Sequence, residues 1–219
     1  SGESNARRYM IENDLVEAII ALPEKMFYNT GIGTFIWVLS NRKEERRKGK
    51  IQLIDATAIK TPLRKNMGEK NCELSPAQRQ EIVRIFMAFE ESEVSRIFPN
   101  SEFGYWKVSV QQPLLDEQGN PALDKKGRIQ PDKAKADTEI IPFRYEGGIE
   151  AFMDAEVRPY APGAYIDPKA TKIGYELSFT KYFYKPVQLR PMEDIVADLK
   201  ALEKETDGML AEILGGIQG

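Results

Sequence analysis

The order of apolar and polar positions along the chain predicts an alternation of buried strands and amphipathic helices. Residues 15–22 (LVEAIIAL) form an almost unbroken apolar run stopped by Pro23, and residues 33–40 (GTFIWVLS) repeat the pattern with aromatic and β-branched side chains. Runs of this kind predict strands buried in an α/β sheet. The connection EKMFYNTGI is too short for a crossover helix, so the two strands are expected to be antiparallel. A third strand is predicted at 50–56 (KIQLIDA). Ahead of the first, Ala6, Tyr9, Met10 and Asn13 share one face of a short helix that stops at Asn13-Asp14.

Further along, Ser75-Pro76-Ala77-Gln78 combines a capping serine, proline at the first helical position and glutamine at the reciprocal capping position. It opens a helix with Ile82, Ile85, Phe86 and Phe89 on its apolar face. A strand is expected at 103–112. Turn signals at 117–121 and 125–128 then interrupt a polar stretch reaching Thr138. The echo between Leu115-Asp116…Gly119 and Leu123-Asp124…Gly127 reads as two turns, and residues 113–138 are expected to be flexible. A helix from Gly147 carries Ile149, Phe152 and Met153 and ends before Pro159; a strand at 173–179 leads into Tyr182-Phe183-Tyr184. After Pro191, residues Ile195, Leu199, Leu202, Thr206, Met209 and Ile213 are spaced 4, 3, 4, 3 and 4, a coiled-coil seam with one polar position. Such a stripe either takes a partner helix or lies on its own domain.

Composition narrows the chemistry. The chain lacks histidine and has one cysteine, Cys72, which excludes classical triads, disulfide frameworks and cysteine-based zinc sites and leaves no metal site in view. With 31 basic and 34 acidic residues it has no global positive field, so any DNA contact must be local. One such place is the linker 41–50 (NRKEERRKGK), whose Arg42, Lys43, Arg46, Arg47 and Lys48 read either as a phosphate-contacting loop or as a solvated turn. No apolar run approaches the ~20 residues of a membrane-spanning helix, and SGESNARR lacks a secretory core. A cytoplasmic protein is expected.

Several strings together carry a family resemblance: SGESNARRYMIENDLVEAIIALPEKMFYNTGIGTFIWVLSNRK at 1–43, then GKIQLIDA, SRIFPNSEFGYWKV and KIGYELSFTKYFY before the proline-initiated helix. They resemble the C-terminal part of the modification (M) subunit of type I restriction-modification systems, which are N6-adenine DNA methyltransferases. The resemblance implies a doubly wound sheet in which 15–22 and 33–40 are the last parallel strand and the antiparallel strand inserted beside it. In that family the glycine motif for S-adenosylmethionine and the Asn/Asp-Pro-Pro-aromatic catalytic motif precede this block, and neither string occurs in these 219 residues. A part of a methyltransferase is therefore expected, without catalytic residues or bound cofactor of its own. The fold class expected is α/β: the terminal portion of the sheet (1–60), a mixed, mainly helical extension (61–190) and a helical tail for subunit association (191–219).

The resemblance also implies site residues. The loop FYNTGI would form the active-site rim with Asn29, Thr30 and Gly31, and Phe27 or Tyr28 would stack on an extruded base, an interaction worth ~1–3 kcal/mol; the alternative packs Met26 and Phe27 under the sheet. Ile195, Leu199, Leu202 and Met209 would dock on the specificity subunit. DNA, that subunit and the restriction subunit are the implied partners. The strand at 33–40, left without one neighbour, is expected to be covered by a second copy or by later segments of the chain.

Overall fold

The computed structural model describes residues 2–184 and 190–215, with backbone alone for 203, 205 and 207–215. Two compact units are present, Ser1–Phe183 and Tyr184–Gly219. The first begins with helix α1 (Gly2–Glu12) and strands β1 (Val16–Ala21), β2 (Phe35–Leu39) and β3 (Lys50–Asp55). A hairpin of β4 (Thr61–Met67) and β5 (Lys70–Glu73), helix α2 (Pro76–Ala88) and β6 (Ser95–Pro99) follow. Then come β7 (Gly104–Gln111), β8 (Asp137–Pro142), α3 (Gly148–Phe152), β9 (Tyr165–Tyr175) and α4 (Phe179–Phe183).

The first sheet has the order β2-β1-β3-β6. Strands β1 and β2 are antiparallel as their short connection requires, with Ile19 opposite Trp37 and Ile20 opposite Ile36. Strand β3 runs parallel to β1, so β1 is not the last parallel strand of this sheet, and β6 closes it antiparallel to β3. Alternate residues divide between two cores. Ile19, Ile51 and Leu53 pack with Ile11, Phe103 and Tyr175, and α4 adds Phe179, Tyr182 and Phe183. Ile20, Leu22 and Ile54 pack on the other side with Ile82, Ile85 and Phe86 of α2.

Helix α2 starts where its sequence dictates. Ser75 Oγ accepts from the Gln78 N–H while the Gln78 side chain accepts from the Ser75 N–H, and Pro76 occupies the first turn. Helix α1 turns inward a face different from the one expected: Ile11 is buried with Met10 beside it, whereas Ala6, Tyr9 and Asn13 are exposed. Arg7 contributes to the inward side by donating to the Tyr175 carbonyl.

The extension is richer in strands than expected. A three-stranded sheet, β8-β7-β9, packs Val108, Val110 and Ile141 against α3 and the π turn Met153–Val157. Nor does residue 60 mark a structural boundary, because β6 returns to the first sheet. Within 113–132, bridges Pro113↔Pro131, Leu115↔Pro121 and Leu123↔Ile129 form a small ladder. Its two turns repeat one device: the Asp116 and Asp124 carboxylates each accept two backbone N–H groups, and Gly119 and Gly127 take positive φ.

The second unit contains α5 (Met192–Gly215). Ile195, Leu199 and Leu202 are exposed along it, Arg190 pairs with Asp198, and Thr206 Oγ1 donates back to the Leu202 carbonyl. The side chain of Met209 lies outside the described residues.

Candidate functional site

The connection between β1 and β2 is held at its neck and along one flank. The Leu22 N–H donates to the Thr34 carbonyl at 2.9 Å, Pro23 is buried, and Met26 packs into the core beneath α2. Two residues that are not glycine, Lys25 and Asn29, take the left-handed conformation (φ 56° and 52°), a backbone state tolerated by asparagine and sparse for lysine. Between them Phe27 and Tyr28 stand largely in solvent, 46% and 64% exposed, and Ile32 follows in the same state. Thr30 ties the bend, its N–H donating to the Phe27 carbonyl and its hydroxyl to that of Tyr28. The two readings of this loop therefore divide: Met26 packs inward, whereas Phe27 does not.

The flank is the β4–β5 hairpin. The Asn71 N–H donates to the Lys25 carbonyl at 3.0 Å, and Cys72 Sγ donates to the Glu24 carbonyl at 3.3 Å. With Met67 opposite Lys70, the hairpin turns through Gly68 and Glu69, and Gly68 has φ +62°, the sign required at the first central position of a type II′ turn. Gly68 also lies close against the β1–β2 loop. A Cβ there would lie 2.9 Å from Asn29 Oδ1 and 3.3 Å from the Tyr28 ring, so only glycine admits the contact. The Glu69 carboxylate lies against Gly31.

The basic linker 41–50 is exposed at eight of its ten residues and buries two, Lys43 and Arg47. Arg47, only 2% exposed, is held over the rings of Phe86 and Phe89, its carbon 4.2 and 4.4 Å from their centroids. Its guanidinium donates to the Phe86 carbonyl and to Gln52 Oε1, and Gln52 donates in turn to Ser95 Oγ and the Ile85 carbonyl. Burial lowers the Arg47 pKa, opposed by nearby Glu17. Arg46 donates to the carbonyls of Met87 and Ala88. These are acceptors that the end of α2 leaves without helical partners, where cations are also favoured by the helix dipole.

Lys43 is buried as well, 2.6 Å from Asp14, and also donates to the Lys50 carbonyl. Asp14 further accepts from the Gly49 N–H and Asn100. Burial alone would raise its pKa, but these hydrogen bonds and the ammonium outweigh it and hold the carboxyl below its ordinary value. Lys48 pairs with Glu45, and Arg42 is exposed. Lys43 and Arg47 are thus withdrawn from solvent, and a phosphate-contacting role for them is corrected by that burial.

The outer edge of β2 pairs with no strand among the described residues, and Phe35, Ile36 and Leu39 are each about half exposed. Among the described residues the later strands are committed to their own sheets. Phe179 of α4 reaches β2, its ring centroid 5.1 Å from that of Phe35. Doubly wound sheets hold nucleotide cofactors where a parallel strand turns into a helix. Here β1 passes into the loop and β2, and β3 into the hairpin.

A sheet with parallel strands at its centre, an open apolar strand at its edge and an aromatic loop at one end agrees with the match that the sequence makes. Residues 1–109 match the family described as N-6 DNA Methylase, and this half of the chain belongs to it. The members it is similar to are methylase subunits of type I restriction enzymes. It is 47% identical over 55 residues to the MjaVII methylase subunit of Methanocaldococcus jannaschii, covering 25% of this chain and 10% of the relative. The MjaVIII subunit of that organism is 35% identical over 91 residues (41% and 15%), and the HindI methylase subunit of Haemophilus influenzae 42% over 59 residues (27% and 13%). The chain spans less than a fifth of the length of these curated relatives. Among solved structures, a type I restriction-modification methyltransferase subunit from Streptococcus thermophilus matches at TM-score 0.39 and 20% identity, covering 47% of this chain and 20% of that one.

Proposed function

We propose that the chain is the closing part of an S-adenosylmethionine-dependent DNA adenine-N6 methyltransferase, the modification subunit of a cytoplasmic type I restriction-modification enzyme. In this reading Phe27 and Tyr28 receive the extruded target base on a rim formed with Asn29, Thr30 and Gly31, and the donor pocket and catalytic amide belong to other residues of the subunit. The observation that supports it is the β1–β2 connection: in a stretch that belongs to the N-6 DNA methylase family, two aromatic rings stand in solvent on a loop held by left-handed residues and a flanking hairpin. A base lifted from the duplex is recognised by stacking of this kind.

Equilibrium dialysis of the chain with radiolabelled S-adenosylmethionine, followed by a DNA-labelling assay, tests the division of labour. No retention and no labelling are expected, and stoichiometric retention overturns it. In the complete enzyme, Tyr28→Ala and Phe27→Ala are expected to weaken target-base binding without changing donor affinity. Loss of donor affinity instead would assign these rings a packing role.

A second reading, in which the chain acts mainly as an interaction module for the specificity subunit and DNA backbone, is favoured by the exposed seam of α5. Burying Ile195, Leu199 and Leu202 with Met209 adds a few kcal/mol to association at ~25 cal/mol per Å2, less ordering costs. Pull-down with the specificity subunit is expected to be lost in Leu199→Glu; retention counts against the docking role. The restriction subunit then joins the same assembly, and a second copy of the chain is a further candidate for covering β2.

A further inference from the structure

The family match and the resemblance leave the β4–β5 hairpin without a role, and its charge is the largest unspent feature of the loop's surroundings. Residues 60–73 contain Lys60, Arg64, Lys65 and Lys70 against two acids, Glu69 and Glu73. Lys60, Arg64 and Lys65 are exposed and Lys70 is half-buried. None of the four makes an ion pair or side-chain hydrogen bond among the described residues. The Glu69 carboxylate rests against Gly31 in the neighbouring loop. A strand pair this short and exposed on both faces buries little apolar surface, with Cys72 its one buried residue.

We propose that the β4–β5 hairpin is the phosphate-contacting surface of this protein, gripping the backbone of duplex DNA beside the extruded base through Lys60, Arg64, Lys65 and Lys70. The inference rests on the reading of the β1–β2 loop as the target-base rim and adds to it the element that holds the strand. Three observations carry it. The cations make no ion pair among the described residues, the hairpin turn lies against the Tyr28 ring at Gly68, and the backbone hydrogen bond from the Asn71 N–H to the Lys25 carbonyl ties hairpin and loop together, so a phosphate held by one fixes the position of a base on the other. Phosphate contacts set register and orientation on a duplex, and base contacts read or capture the target. The linker 41–50, in contrast, spends Lys43, Arg46, Arg47 and Lys48 on partners within the chain.

The test is binding of the 219-residue chain to a fluorescent 30-base-pair duplex, by anisotropy, between 50 and 200 mM KCl (about the range over which phosphate contacts are usually resolved). Each hairpin cation replaced is expected to lower the slope of log K against log salt by ~0.9. The double variant Arg64→Gln/Lys65→Gln is expected to bind about tenfold more weakly, and Arg42→Gln/Lys48→Gln to retain the wild-type slope. An unchanged slope in the hairpin variant, an equal fall in the linker variant, or no binding by the wild-type chain at the lowest salt overturns the proposal. Tyr28→Ala on a duplex with 2-aminopurine at a mismatch separates the two layers. If the rim reading alone fails, Tyr28→Ala leaves the 2-aminopurine signal unchanged while the hairpin variants still lose slope. If the hairpin proposal alone fails, the reverse pattern appears.

Discussion

The linker 41–50 and the hairpin 60–73 lie close together in the chain and both are rich in cations, yet they dispose of them in opposite ways. The linker has the denser charge, six basic residues in ten, and most of it is absorbed. Arg46 and Arg47 satisfy carbonyls at the end of α2, Arg47 lies between two phenylalanine rings, and Lys43 is buried on Asp14. The hairpin's four cations make no ion pair or side-chain hydrogen bond among the described residues, and three of them, Lys60, Arg64 and Lys65, stand in water. Charge density along a sequence therefore does not indicate which cations meet a ligand; the supply of unpaired carbonyls and carboxylates nearby does. A helix C-terminus is such a supply, and a two-stranded hairpin, whose backbone groups are partly paired with one another, is not.

Mutation sharpens the contrast, beginning with the most buried cation. Arg47→Ala is expected to destabilise the chain by about 3–5 kcal/mol, because it leaves Gln52 Oε1 and the Phe86 carbonyl without their donor and opens a cavity beside two rings. Urea unfolding measures it, and a change below about 1 kcal/mol would remove the structural role assigned to the linker. Asp14→Asn is expected to cost about 2–3 kcal/mol, since the Lys43 ammonium stays buried without its carboxylate.

The same pair makes a prediction about pH. The folded-state pKa of Asp14 is depressed, so its contribution is complete above the ordinary carboxylate value of ~4 and is lost as pH falls through the lower folded value. Wild-type stability is expected to decline across that acid window, and the Asp14→Asn curve to be flatter there. Parallel curves would contradict the assignment.

Ser75→Ala removes the reciprocal cap of α2 and is expected to cost about 1 kcal/mol. The smallest effect is expected at the hairpin itself: Arg64→Gln should shift unfolding by less than about 0.5 kcal/mol, since nothing in the chain depends on that side chain. A larger loss would show that the hairpin cations, like those of the linker, hold the fold together.

The sequence carried some of this and concealed the rest for physical reasons. The β1–β2 pair was readable because both strands are apolar runs joined by a connection with no room for a helix. Helix α2 announces its first turn through Ser75, Pro76 and Gln78, and the turns at Asp116 and Asp124 follow from Asx geometry with glycine three residues on. The β4–β5 hairpin has no such mark. Exposed on both sides, it shows no alternation of apolar and polar residues, and only Gly68 hints at a turn. Strands β6 and β8 are short and flanked by polar residues, so the extension reads as more helical than it is. The fates of Lys43 and Arg47 depend on Asp14 and Phe86, 29 and 39 residues away, contacts that periodicity does not encode. The α1 face was misjudged because Tyr9 outweighs Ile11 in an apolar pattern, while packing against Tyr175 and Phe103 selects Ile11.

Photocrosslinking compares the two basic regions where it matters most. In the complete enzyme on a duplex with 5-iododeoxyuridine placed next to the target adenine, peptide mapping is expected to find the crosslinks at Phe27, Tyr28 or within residues 60–73. Crosslinks confined to residues 41–50, or none to either stretch, would contradict the account.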